Sequence, residues 1–284
     1  MSYDLRFAVG VLVLLTLLVQ GCASTAPLPK KAIALNRDGI SALAVGDLET
    51  AEARFAVAVE YNARFTEAWV NLGLVELWRG NLTLAEHHFS RARELNADLP
   101  APHHALGLLA DRRGLRAEAE RDYRMALKVD PGFAPARANL GRLLFARGAI
   151  DEAREEFLRL TQAAPESPDG WLGLAESLVR LGRPEEADAV VERARGRFGD
   201  LPALELLVAR QLLRGGAFDE AERMLTPLTH DADRARRGVV WAWIAVARVG
   251  EKDDARAREA ARLALEVNPD DAVARYAMRA ASAQ

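Results

Sequence analysis

Cysteine occurs once in the 284 residues, at Cys22, so the chain can close no intramolecular disulfide and carries no CxxC pair for redox chemistry or zinc. Lysine is nearly missing as well. It stands only at Lys30, Lys31, Lys128 and Lys252; the rest of the 38 basic residues are arginine, and 41 acidic residues balance them to a net charge of -3. A near-neutral chain with interspersed signs has no electrostatic grip on nucleic acid, and no nucleic-acid partner is expected. Aromatic residues make up 6% of the chain, and no GxxxxGK[ST] phosphate loop or HExxH metal motif is present. Long apolar runs are lacking too: the uncharged stretch from Phe7 to Val19 is thirteen residues, short of the roughly 20 that a membrane-crossing helix needs. What is there, 50% hydrophobic and 28% charged residues, is a globular composition.

The apolar stretch has the length of a signal-peptide core, with Arg6 before it and the turn-prone Ser24-Thr25-Ala26-Pro27-Leu28-Pro29 after it. It closes on Val19-Gln20-Gly21-Cys22, which resembles the bacterial lipobox. The resemblance implies that 1–21 is a lipoprotein signal peptide and that the Cys22 thiol takes a diacylglyceryl group and becomes the first mature residue. More than one acyl chain at that residue gives stable anchoring. In the lipoproteins of Gram-negative bacteria an Asp after the cysteine retains the product in the inner membrane. Ala23 stands there in this chain, which implies the periplasmic face of the outer membrane. The other reading of the same residues is an uncleaved anchor helix. Residues 22–31 form the lipidated N-terminus and a linker whose nine residues from Ala23 to Lys31 reach at most about 30 Å.

From Ala32 onward one pattern recurs every 34 residues, at 32, 66, 100, 134, 168 and 202, and again at 238 after a two-residue insertion. Position 8 is small (Gly39, Gly73, Gly107, Gly141, Ala175, Ala209, Ala245), position 20 is alanine throughout, and position 24 is large (Phe55, Phe89, Tyr123, Phe157, Val191, Leu225). Glycine at position 15, from Gly46 to Gly216, reads as the end of a first helix, and prolines at the unit boundaries suit first helical turns. In the seventh unit Gly250 falls two places early, before a turn at Glu251-Lys252-Asp253-Asp254. Trp69-Val70-Asn71-Leu72-Gly73 and Ala138-Asn139-Leu140-Gly141 then identify the resemblance: the pattern is similar to the tetratricopeptide repeat, a pair of antiparallel helices. The resemblance implies an all-α, right-handed superhelical solenoid of seven helix-turn-helix units over 32–270 and a capping helix over 271–284.

Few residues suggest catalysis. The histidine pairs His87-His88 and His103-His104 fall on adjacent helices, but neighbours on a helix point about 100° apart, so one member of each pair at most could share a metal. Acid pairs such as Glu155-Glu156 and Glu185-Glu186 read as solvated helix starts. No enzyme activity, metal or cofactor is expected beyond the covalent lipid on Cys22. In the tetratricopeptide family the inner face is lined by positions 2, 5, 6, 9, 12 and 13 of each first helix. Here those places give Ile40, Leu43, Val70, Asn71, Leu74, Leu77, Trp78, Leu108, Arg112, Asn139, Arg142 and Phe145 as a candidate partner groove, with Arg180, Arg210, Arg214 and Trp243 farther along. An amphipathic helix or extended segment of an envelope-complex subunit would suit such a face; the alternative is that the apolar residues cover one another. The clamp that grips chaperone C-termini is absent, because Asn71 is flanked by Asn36, Ile40, Ala101 and Ala105.

A lipobox, a short spacer and then repeats alone resemble the type IV pilus pilotin family, outer-membrane lipoproteins that help the secretin assemble. Ala138 to Phe145 and Val240 to Arg248 are the local matches. The cysteine pair of some members is absent, and seven units exceed their usual six. The alternatives are a scaffold for cell-wall hydrolases or periplasmic proteases, and an assembly partner in exopolysaccharide secretion.

Overall fold

The computed structural model describes residues 27–199, 201–231 and 233–282. The expected signal peptide and the expected lipidation site at Cys22 therefore lie outside the described residues. Within them the regular structure is entirely helical, in two compact bodies, one ending at Ala164 and the other beginning at Pro165. The first body holds α1 (Lys30–Ala44), α2 (Leu48–Tyr61), α3 (Thr66–Arg79), α4 (Leu82–Leu95), α5 (Pro100–Arg112), α6 (Arg116–Val129), α7 (Ala134–Arg147) and α8 (Ile150–Ala163). The second holds α9 (Pro168–Arg180), α10 (Pro184–Phe198), α11 (Pro202–Arg214), α12 (Phe218–Leu225), a 3-10 turn (Thr226–His230), α13 (Arg234–Gly250), α14 (Asp254–Val267) and α15 (Ala272–Ala280). Consecutive odd and even helices pack as pairs, and α15 packs on α13 and α14 through buried Ala274 and Ala277. No described helix is long and apolar enough to cross a membrane.

Helices α3, α5, α7, α9 and α11 begin at 66, 100, 134, 168 and 202. The seventh pair departs from its expected start at 238: α13 begins at Arg234, one turn earlier. The cause lies in α12, which stops after eight residues. Pro227, lacking an N–H, diverts the chain into the 3-10 turn, and Asp233 then caps α13 by accepting from the backbone N–H of Ala235 and Arg236. The turn that follows falls at Glu251-Lys252-Asp253-Asp254, as expected, and Gly250 precedes it. It lies within α13, where an added Cβ would sit 2.4 Å from the Phe218 ring, and the left-handed turn is taken by Lys252 at φ 63°. Lys252 is the fifteenth residue counted from 238, the place Gly80 fills at φ 83° in the second repeat.

The recurring contact explains the small and large positions together. A Cβ on Gly39, Gly73, Gly107 or Gly141 would lie 2.6, 2.3, 2.5 or 2.8 Å from the nearest ring carbon of Phe55, Phe89, Tyr123 or Phe157. The ring at position 24 lies against the backbone of its own repeat's first helix, a place only glycine leaves open. The same ring reaches the next repeat: Phe55 clusters with Leu72 and Val75, and Phe89 with Leu106 and Leu109. Over the first three joints lies an ion pair from position 14 to position 21 of the repeat before: Arg79 to Glu52 at 2.6 Å, Arg113 to Glu86 at 2.7 Å and Arg147 to Glu120 at 2.6 Å. Such partly exposed pairs contribute about 1 kcal/mol or less each.

A second recurring device fixes the approach to each first helix. The side chain at its fourth residue donates to the carbonyl six residues earlier, in the preceding turn: Trp69 to Ala63 at 2.9 Å, His103 Nε2 to Ala97 at 2.9 Å, Trp171 to Pro165 at 3.1 Å, and Arg137 to Pro131. Arg237 to Asp231 and Arg275 to Pro269 repeat it at the starts of α13 and α15. Each link satisfies a turn carbonyl that no helix can reach.

The Gly73 and Phe89 contact is expected to be strongly coupled. Gly73→Ala should cost about 1–3 kcal/mol by overpacking. In a Phe89→Leu background the same change should cost nothing or stabilise, since alanine is the better helix former by about 1 kcal/mol. Urea unfolding of the four proteins checks this; equal costs in both backgrounds would refute the contact.

Candidate functional site

The first helices of the N-terminal body carry the predicted groove, and the structure divides its residues into two groups. Leu43, Val70, Asn71, Leu74 and Leu77 are buried, each at most 5% exposed. They belong to the packing between helices and cannot line an open groove. Val70, Leu74 and Leu77 join Phe89, Leu106 and Leu109 in one cluster, and Leu43 joins Phe55, Leu72 and Val75. Ile40 and Trp78 are half-buried against the Leu43 cluster, so Trp78 also has a packing role. Leu108, Asn139, Arg142 and Phe145 remain half-buried and Arg112 exposed. The physical reason for the correction is that these side chains face neighbouring helices, Leu43 against Phe55 and Leu72 and the other leucines and valine against Phe89, Leu106 and Leu109, which cover them.

Two polar links cross between repeats on this face. Asn71 Nδ2 donates to Asn36 Oδ1 at 2.9 Å, fully inside the protein. The second is a chain. Arg142 donates to Asn139 Oδ1, and Asn139 Nδ2 lies 2.7 Å from His104 Nε2. Arginine can only donate, so the Asn139 oxygen must face it; the amide nitrogen then faces His104, whose Nε2 must accept. The ring is therefore the neutral tautomer with its hydrogen on Nδ1. Burial, helped by the Arg142 charge, pushes the His104 pKa down to about 3. Beside it Tyr123 is buried, with its phenol pKa pushed up by desolvation and its hydroxyl without a hydrogen-bond partner.

Other predicted groups are placed as follows. His103 is tied to the Ala97 carbonyl and His104 to Asn139, while His88 stacks near Trp69 with ring centroids 5.5 Å apart. The two histidine pairs are thus committed to separate contacts. Glu156 is not solvated: it pairs with buried Arg137 at 2.5 Å and with Arg159 at 2.7 Å. Buried Glu76, which the sequence pattern did not single out, is held by Arg79 at 2.9 Å and by Asn81 Nδ2 at 2.6 Å. In the C-terminal body Arg210 lies 5.2 Å over the Trp243 ring and 3.5 Å from Glu176. The arrangement offers hydrogen bonding and packing on a helical surface.

Repeats of 34 residues, each with a glycine or alanine facing a large residue across a helix pair, match two family models, both described as tetratricopeptide repeat, over residues 37–100, 113–171 and 150–202. These spans cover more than half of the chain. It belongs to the tetratricopeptide repeat family. Tetratricopeptide proteins are generally interaction scaffolds that bind protein partners. Among solved structures, a tetratricopeptide repeat protein from Parabacteroides merdae is 16% identical, with a TM-score of 0.65 over 89% of this chain and 100% of the other. The pilF protein of Pseudomonas aeruginosa is 20% identical, with a TM-score of 0.61 over 74% of this chain and 95% of its own. PilW, described as a widely conserved type IV pilus biogenesis factor, is 19% identical, with a TM-score of 0.61 over 72% and 94%. No curated protein matches the sequence. At these identities the likeness is one of fold.

The buried neutral His104 makes this tetratricopeptide protein acid-sensitive in a defined way. In the unfolded chain the ring takes up a proton near its ordinary 6.5, in the folded one only near 3. Stability contributed by the neutral ring is therefore complete above pH 6.5 and falls by about 1.4 kcal/mol per pH unit between those values. His104→Gln, which keeps an acceptor for Asn139, should lose less stability between pH 7 and pH 5 than the unmodified chain. Parallel pH profiles of urea midpoints would contradict the assignment.

Proposed function

We propose that this protein is a lipid-anchored scaffold on the periplasmic face of the outer membrane and that it assists type IV pilus biogenesis, at assembly or localisation of the secretin. The observation that carries the reading is a lipobox cysteine, Cys22, followed within ten residues by an array of helix pairs with the fold of PilF and PilW. The lipid supplies the membrane attachment, and the short linker keeps the first repeat within about 30 Å of the bilayer surface. The repeats supply the partner surface, an envelope-complex subunit presenting an amphipathic or extended segment. On the inner face Ile40, Trp78, Leu108 and Arg112, with Arg142 and Phe145, are the candidate groove residues that retain exposed surface. In this reading the protein is not an enzyme: it orients and concentrates its partner near the membrane, which raises the partner's effective concentration without chemistry.

Cys22→Ser removes the thiol that takes the lipid. The variant is expected to leave the outer-membrane fraction and to lower detergent-resistant secretin multimers at least severalfold in a strain lacking the native copy, measured by membrane fractionation and immunoblot. A Ser variant that still pellets with the outer membrane at high salt would refute the anchor. Unchanged multimers in the strain with no copy at all would refute the pilus role and leave the scaffold fold standing.

A further inference from the structure

Helix α13 is apolar all round. From Gly238 to Ala247 no residue is charged, a pattern that belongs to a helix covered on every side. Most of it is covered: Gly238, Val240, Ala242, Ile244, Ala245 and Ala247 are buried. One stripe is not. Val239, Trp243 and Val246 follow one another at spacings of four and three, which sets them on one side of the helix; Val239 is 37% exposed and the other two are only half-buried. In the second repeat the same places hold Glu67, Asn71 and Leu74, an exposed charge followed by two buried residues. The apolar stripe is therefore a local departure and not a property of the repeat. Tyr276 of α15, the helix that packs on α13, is 56% exposed. Val239 and Tyr276 are the most exposed large apolar side chains among the described residues of the C-terminal body.

A charge asymmetry runs beside the stripe. Helices α11, α13 and α15 together hold eight arginines and one acidic residue, Glu205, which is turned to Arg195 at 2.8 Å. Arg236, Arg248 and Arg275 are taken up by Asp231, Glu222 and Asp270 of adjoining segments. Arg210 and Arg214, one turn apart on α11, are not. Arg210 lies 5.2 Å over the Trp243 ring, which places it against the stripe, and it reaches Glu176 only at 3.5 Å, with 30% of its side chain exposed. Arg214 is exposed and has no ion pair among the described residues.

We propose that this face of the C-terminal body docks an acidic segment of a partner protein, with aromatic or aliphatic side chains on Val239, Trp243 and Tyr276 and carboxylates at Arg210 and Arg214. A carboxylate there gives Arg214 its counter-ion, and Arg210 keeps its place over the Trp243 ring while it accepts a second acid beside Glu176. Charge decides the class of segment: two arginines against one distant glutamate attract an acidic chain and repel a basic one. The row from Glu176 through Arg210 to Trp243 crosses α9, α11 and α13 in single file. Acid, base and ring in succession match the side chains of a peptide laid across the helices, whereas an anionic lipid surface would meet Glu176 with repulsion. None of these residues belongs to the N-terminal body named above, and the proposal holds whether or not the pilus reading does.

Full-length protein in detergent, titrated with a fluorescein-labelled peptide carrying a Phe-Leu core between glutamates, tests the proposal by fluorescence anisotropy. Saturable binding that weakens with added salt is expected, at least tenfold weaker for a peptide with lysines in place of the glutamates or serines in place of Phe-Leu. Arg214→Glu and Val239→Glu change exposed side chains, so each should weaken binding at least tenfold without loss of the cooperative thermal transition. Arg121→Glu makes the same charge change at an exposed residue of α6 and should leave binding unaltered. Equal binding of the lysine peptide, unchanged binding by Arg214→Glu, or an equal loss in Arg121→Glu would overturn the proposal. Displacement of the peptide by phosphatidylglycerol added to the micelles, where phosphatidylcholine has no effect, would overturn it in favour of a lipid surface. A dimer seen by light scattering and abolished by Arg214→Glu would overturn it in favour of a second copy as occupant.

Discussion

The contact between a backbone without a side chain and an aromatic ring is the constraint from which the rest of the fold follows. Where Gly73 leaves the surface of α3 bare, Phe89 lies directly on it, and the ring then projects far enough to meet Leu106 and Leu109 of the following repeat. One side chain thus closes both its own helix pair and the joint to the next. Because that contact is local in sequence, each repeat can be assembled from neighbours alone, as expected of a linear array. The ion pairs over the joints and the fourth-residue links to turn carbonyls add orientation to a packing that is already decided.

Most of this was legible in the sequence, because a period of 34 residues repeats each packing requirement several times. The small residue at position 8 was legible as a place of close helix approach and the large residue at position 24 as filling the space between units, though not that the ring lies on the glycine, and five of the first helices begin at the residue where the repeat begins. The seventh repeat was misread for a local reason. The 3-10 turn at Thr226–His230 cut α12 short and α13 began one turn early, although the turn at Glu251-Lys252-Asp253-Asp254 fell where it was expected. Single-residue irregularities of this kind are invisible to a periodic pattern, which averages over them.

The candidate groove was legible only in part. The pattern gave the face on which Leu43, Val70, Asn71, Leu74 and Leu77 lie but not how closely the adjacent helices approach, so buried and open positions on one face could not be told apart. The chain from Arg142 through Asn139 to His104 had a faint signal, polar residues 35 apart at positions 5 and 6, repeated by Asn36 and Asn71. Function follows the same division: the repeat determines a scaffold, and which exposed residues of the face meet a partner is not written in the period.

The central claim is that the residue pair at positions 8 and 24, with the residues it meets in the next repeat, sets how firmly each joint is closed. Amide hydrogen exchange, followed peptide by peptide on the free full-length protein, measures this directly. The account predicts the slowest exchange in α3, α4 and α5, where Gly73, Phe89, Leu106 and Leu109 interlock, and exchange at least tenfold faster in α10 and α11 around Val191 and Gln211. Uniform protection through all of these helices, or slower exchange at the fifth joint than at the second, would contradict it.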